Sequence, residues 1–189
     1  MTRLKPTWLL LALAMLLQWA LPAGVALHSE AILRSGTRYY LHTAPVDPLD
    51  AFRGRYVALR FADASVRLPA GLPWRADMRV AVPLHVGPDH FARFGTPSPT
   101  PPAQGDYLMA TLRNVDADGV ASLDLPFDRY YLDERAAPAA ERAYRAANAG
   151  KTSADAYVTI RVRNGDAVLE ALFIDNLPIQ RYLAGSLPH

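Results

Sequence analysis

The side chains in this chain with the most obvious chemical potential are carboxylates. Asp47 and Asp50 lie three positions apart, and Asp133 and Glu134 are adjacent. Carboxyl groups held close together split their pKa values, so that one can act as an acid and its neighbour as a base. Most pairs of this kind in turns are simply solvated. Glu134 draws most interest, because Arg129-Tyr130-Tyr131-Leu132-Asp133-Glu134 follows a strand pattern. Other chemistries lack their parts. The chain has no cysteine, hence no thiol nucleophile, disulfide or cysteine metal site. Its lysines are Lys5 and Lys151, and Lys151 sits in the polar stretch Gly150-Lys151-Thr152-Ser153. An ammonium there stays solvated, which leaves a Ser–Lys dyad without an activated base. His85 and His90 flank Asp89, but Pro88 breaks any shared helical face, and a metal centre needs three or four ligands in fixed geometry. No metalloprotease, phosphate-loop, dinucleotide or nucleophile-elbow pattern occurs. The expectation is a chain with no cofactor and no metal.

Composition narrows the class further. Of 189 residues, 51% are hydrophobic, and the first thirty or so carry the excess. Twenty basic residues against 18 acidic give a net charge of +2, and that surplus is Arg3 and Lys5. The remainder is balanced, so nucleic acid is not an expected partner. From Trp8 to Leu27 the chain is apolar apart from Gln18. About twenty such residues in a helix span roughly 30 Å, the thickness of a bilayer's hydrocarbon core. The cations before the run predict a cytoplasmic N-terminus and an exported remainder. A signal peptide's apolar core runs about 7–15 residues, shorter than this one. An uncleaved anchor is therefore expected, with a signal peptide cut around Ala23 to Ala26 as the alternative. The organisation read from the sequence is a cytoplasmic N-terminus over 1–7, a transmembrane anchor over 8–27, a helical extension over 28–36 capped by Gly36, an exported β-rich domain over 37–183, and a tail over 184–189.

Within that domain, the stretch Pro45 to Phe61 organises the rest. Its two prolines hold the backbone extended around Asp47. Alternation then predicts a strand with Val57, Leu59 and Phe61 on one face and Tyr56, Ala58 and Arg60 on the other. Strands are also expected at Thr37–Thr43, Arg79–Leu84, Tyr107–Arg113 and Val120–Leu125, the last two joined through Asp118-Gly119. Asp63 to Met78 reads as a loop, and proline-dense Gly87 to Gln104 as extended polyproline. Pro138 to Asn148 is an alanine-rich helix with a Glu141–Arg145 pair. Asn164-Gly165 predicts a two-residue type I′ hairpin. That register sets Arg163 opposite Asp166, Ile160 opposite Leu169 and Thr159 opposite Glu170. It also puts Phe173 on the face of Val158, Ile160 and Val162. The fold class expected is mainly β: an antiparallel sandwich or partly open barrel with one short helix, preceded by the transmembrane helix.

Gly54-Arg55-Tyr56-Val57-Ala58-Leu59-Arg60-Phe61 resembles the signature of the GDYXXLXY protein family, with Arg55 in place of aspartate and Phe61 in place of tyrosine. Arg129 to Glu134 resembles that family's later R-Y-F-V-P-E segment, with Asp133 in place of proline, and Tyr157 to Ile179 resembles its closing hairpin. The literal Gly105-Asp106-Tyr107 is a coincidence, since Ala110 and Leu112 then occupy the signature's Leu and Tyr positions. The resemblance implies bacterial proteins with a hydrophobic N-terminal segment and no established activity.

The expectation for function is an accessory protein held by one anchor in the inner membrane. Its β domain, periplasmic or extracellular, would bind an integral membrane partner. Asp47, Tyr56, Arg60, Arg129, Tyr131 and Glu134 are the candidate interaction residues. The alternative is an envelope hydrolase using carboxylates near Glu134; a third reading is a module for a small extracellular ligand.

Overall fold

A helix needs a reason to stop, and here that reason is steric. The computed structural model describes residues 6–45, 56–149 and 156–186, with the side chains at 6–10, 12 and 186 outside that description. Helix α1, Pro6–Ser35, ends at Gly36, whose amide donates to the Ile32 carbonyl at 2.7 Å. Gly36 does not adopt left-handed backbone angles. A Cβ there would instead stand 2.7 Å from the Ile32 oxygen and 3.0 Å from the Val162 oxygen, so only glycine fits the crossing. Every described side chain from Leu11 to His28 is exposed, Trp19 by 75%, whereas Ile32 is buried against the body. The apolar run begins at Trp8, beyond the described side chains. Among the described residues, no helix is long and apolar enough to cross a membrane.

The body is β-rich and antiparallel. Its strands are β1 (Thr37–His42), β2 (Tyr56–Ala58), β3 (Ser65–Arg67), β4 (Arg79–Val86), β5 (Ala92–Phe94), β6 (Tyr107–Val115), β7 (Val120–Asp124) and β8 (Arg129–Tyr131). Helix α2 (Ala137–Asn148) follows, then β9 (Ala156–Arg163), β10 (Asp166–Ile174), β11 (Leu177–Pro178) and helix α3 (Ile179–Ser186). They form sheets ordered β1-β9-β10-β11, β2-β8 and β3-β7-β6-β4-β5. Backbone bridges stitch these together. Thr43 meets Phe61, and Met109 N donates to the Gly165 carbonyl at 2.8 Å. The result is a nearly closed, barrel-like wall, and of the two expected arrangements the barrel is the better description. Val57, Val80, Leu108, Leu112, Val158 and Ile160 fill its interior.

Several expectations are corrected. Among the described residues the body carries two short helices, α2 and α3, where one was expected. The stretch Asp63 to Met78 is not all loop: β3 lies within it and pairs with β7. The proline-dense segment contains β5, and Ser98 bridges Ala81. In these short segments edge pairing, not periodicity, decides the conformation.

The closing hairpin turns as expected, with Asn164 and Gly165 at φ 52° and 87° and Arg163 opposite Asp166. Past Leu169, however, a bulge intervenes, so Thr159 faces Ala171 and not Glu170. One extra residue reverses the strand's facing beyond it. Leu172 and Ile174 therefore enter the core, and Phe173 moves to the outer face. There it stacks on Tyr157 with ring centroids 4.9 Å apart, the last of a series of rings that includes Tyr40, His42 and Phe91.

Helix α2 presents Ala137, Ala140, Tyr144 and Asn148 inward, one side of the helix at three- and four-residue spacing. Tyr144 is 1% exposed, and burial pushes its pKa up. Its hydroxyl donates to the Ala44 carbonyl at 3.3 Å, while Asn148 Nδ2 donates to the Tyr144 carbonyl at 2.9 Å. Thr43 Oγ1 completes the set by donating to the Ala156 carbonyl at 2.8 Å.

Candidate functional site

The two stretches singled out in the sequence, around Tyr56 and around Arg129, come together as one two-stranded ribbon. In β2–β8, Tyr56 pairs with Tyr131, Val57 with Tyr130 and Ala58 with Arg129. Alternation turns Val57 inward, where it is almost fully buried, so Tyr56 and Ala58 share the outer face. Residues opposite one another in an antiparallel pair point to the same side, which brings Tyr131 and Arg129 onto that face too. The Tyr56 and Tyr131 rings lie 5.7 Å apart at 59°, and Arg129 Cζ stands 5.1 Å from the Tyr56 ring centroid. A guanidinium over a tyrosine face is a cation–π contact. Hydrogen bonding to Tyr131, then the Asp128 carboxylate at 3.6 Å, raises the Arg129 pKa further.

The ribbon separates two grooves. The larger, about 760 Å³, lies in the seam between β2–β8 and the sheet of β6 and β7. Tyr56, Arg60, Arg113, Arg129, Asp124 and Asp128 are among the residues that line it. Arg113 Nη2 donates to Asp124 Oδ1 at 2.7 Å across the β6–β7 pair. The wall is thus a mixture of both charge signs around the rings of Tyr56 and Phe61. The smaller groove, about 400 Å³, lies between β8, β10 and the end of α1, with Ser29, Phe127, Arg129, Tyr131 and Leu169 on its walls. Arg129 lines both.

Of the residues expected from sequence, Tyr56, Arg60 and Arg129 gather at the larger groove, and Tyr131 opens on the smaller. Asp47 lies outside the described residues, as do Asp50 and Lys151. Glu134 is exposed in the turn before α2 and lines neither groove. Its neighbour Asp133 serves that turn: Oδ1 accepts from Arg135 N at 2.9 Å, and its carbonyl accepts from Ala136 and Ala137. Among the described residues, no group of three or more histidine or acidic side chains is placed to hold a metal ion. Asp89 instead pairs with Arg93 at 2.9 Å.

Sequence reasoning missed Arg113, Asp124 and Asp128. Each reads as an ordinary strand-end or turn residue, and only the pairing of distant strands makes them neighbours. It also missed Glu170, the bulge residue. Arg38 donates to both its carboxylate oxygens at 2.7 Å, and Arg161 Nε donates at 3.2 Å. Burial opposes ionisation of Glu170, but the bonds from Arg38 and Arg161 outweigh it and its pKa is lowered. Arg161 Nη1 also donates to the Gly36 carbonyl at 3.0 Å, and Arg163 Nη1 to Ser35 Oγ at 2.8 Å. This cluster fixes the point where α1 meets the sheet.

No curated protein and no solved structure matches the chain. The model of the family described as GDYXXLXY protein matches residues 18–172, a span that holds both strands of the Tyr56–Tyr131 ribbon and most of the closing hairpin. The chain belongs to the GDYXXLXY protein family.

Proposed function

We propose that the chain is a membrane-anchored accessory protein whose β domain binds an extramembrane segment of an integral membrane partner in the larger groove. The observation that carries this reading is Tyr56 beneath Arg129 at the rim of an open groove walled by Arg60, Arg113, Asp124 and Asp128. Tyrosine and arginine are the side chains that most often anchor protein interfaces, and a wall of both charge signs suits a polar peptide. The outward-facing leucines of α1, unpartnered by the body from Leu11 to Leu27, support a lipid environment for the run that begins at Trp8. Arg3 and Lys5 then keep the N-terminus cytoplasmic and the domain on the far side of the inner membrane. An anchor of this kind raises the domain's effective concentration for other proteins of the same membrane.

The hydrolase alternative draws no comparable support, because Glu134 lies away from both grooves. A photoreactive residue at Arg60 in the full chain, in native membranes, tests the binding reading. Crosslinking to one membrane protein, lost when Tyr56 and Arg129 are both alanine, is the expected result. An unchanged crosslink in that variant would overturn the assigned surface.

A further inference from the structure

The smaller groove has a feature the larger lacks: part of its wall is α1 itself. Ser29 lines it, two residues beyond Leu27 where the apolar run ends. At 1.5 Å rise per residue, Ser29 stands only about 3 Å past that boundary. The headgroup layer on each side of a bilayer is roughly 5–8 Å deep. If α1 spans the membrane, as proposed above, the groove opens within that layer. The mount of α1 on the body sets this height. Ile32 is buried, the Gly36 carbonyl and Ser35 Oγ accept from Arg161 and Arg163, and His28 Nε2 lies 2.9 Å from Asp166 Oδ2.

The groove's lining matches the chemistry of that depth. Tyr131 is 67% exposed, a large ring left in the open on a three-residue strand. Beside it are Phe127, Val168 and Leu169, with Arg129 at the rim. Tyrosines concentrate where hydrocarbon meets headgroups, and an arginine there reaches lipid phosphate. Arg34 nearby pairs with Glu30 at 2.7 Å, and Arg129 itself has the Asp128 carboxylate at 3.6 Å, a long contact that leaves guanidinium N–H groups for a further acceptor. The groove therefore joins apolar walls to the hydroxyl and phenol groups of Ser29, Tyr130 and Tyr131, with Arg129 at its side.

We propose that the groove between β8, β10 and α1 is a phospholipid headgroup site that lays the domain against its own membrane. Arg129 faces the lipid phosphate and Tyr131 sits in the interfacial layer. The two grooves beside the ribbon then have different occupants: lipid in the one Tyr131 lines, a protein segment in the one Tyr56 lines. This inference rests on the anchored reading of α1.

The absence of cysteine makes the test direct. Single cysteines at Leu17 and at Ala167 carry an environment-sensitive fluorophore in the full chain, reconstituted into phosphatidylglycerol-containing vesicles. Quenchers are placed on lipid headgroups or mid-chain. The Leu17 probe should lose emission to the mid-chain quencher and the Ala167 probe to the headgroup quencher. Loss at Leu17 without loss at Ala167 would overturn the headgroup site and leave the anchor standing. No loss at Leu17 would remove the anchor and the site together. A photoreactive residue at Tyr131 should capture phospholipid, and capture of protein alone would assign the groove to a partner instead.

Discussion

Arg38 on β1 and Glu170 on β10 form a two-bond ion pair, both bonds 2.7 Å, although β9 lies between their strands. The bulge makes this reach, since it removes Glu170 from the register and frees its side chain to cross the sheet. The Glu170 pKa is lowered, so its contribution to stability is present above the ordinary carboxylate range and is lost as pH falls through the folded value. Glu170→Gln should destabilise the domain by about 1 kcal/mol at neutral pH, the upper range for a pair that keeps contact with water. Urea midpoints for both proteins across the acid range check this: the gap should close as the pH is lowered. A gap independent of pH would assign the loss to packing.

Gly165 carries a steeper expectation. Its φ is +87°, and a Cβ would stand 2.6 Å from the Tyr107 ring, so Gly165→Ala meets both backbone strain and a collision. Gly119 has φ +74° with nothing within 4 Å, so alanine there meets the backbone term alone. Alanine in the left-handed region is disfavoured by roughly 1–2 kcal/mol. Thermal unfolding of the two variants should rank Gly165→Ala clearly below Gly119→Ala, because only the former also pries the β9–β10 turn from β6.

Tyr39 should ionise well above the ordinary phenol range. Burial, followed by the hydrogen bond its hydroxyl donates to Asp106 at 2.8 Å, pushes its pKa up to about 12. The raised value favours the neutral form in the fold, so its stabilising effect is complete below the usual phenol pKa and lost as pH rises past it. Alkaline titration of phenolate absorbance, compared with Tyr39→Phe, should show one late-titrating group missing from the variant.

Tyr144 anchors α2 by its ring more than by its hydroxyl. The hydroxyl bond to the Ala44 carbonyl is long, at 3.3 Å, while the ring is enclosed. Tyr144→Phe should cost about 0.5–1.5 kcal/mol, and Tyr144→Ala about 3–5 kcal/mol. Denaturant unfolding distinguishes them, and a Phe variant as damaged as the Ala variant would reverse this assignment.

At the larger groove, Tyr56→Phe keeps the ring beneath Arg129 and Tyr56→Ala removes it. Loss of an interface tyrosine costs roughly 2 kcal/mol or more. Partner crosslinking should therefore survive the phenylalanine variant and fall at least about tenfold in the alanine variant.

Local chemistry was legible in the residues alone. Asn164-Gly165 dictates its turn because few other residue pairs accept two positive φ angles, and alternation from Val57 to Phe61 dictates which side chains are buried. The alanine-rich α2, with its Glu141–Arg145 contact, follows from propensity and spacing. The family was legible too, from short motifs that the family match spans. Tertiary structure decided what depends on partners distant in the chain. β3 and β5 are three-residue strands, too short for periodicity to declare, and exist because β7 and β4 offer edges to pair with. The bulge at Glu170 leaves no mark in composition, yet it sends Leu172 and Ile174 inward in place of Phe173. Gly36 was legible as a stop, but its reason, the crossing of α1 over Val162, belongs to the sheet. The ribbon itself, and the two grooves it divides, arise only when Arg129 and Tyr131 meet Ala58 and Tyr56 across a gap in sequence that no local preference can bridge.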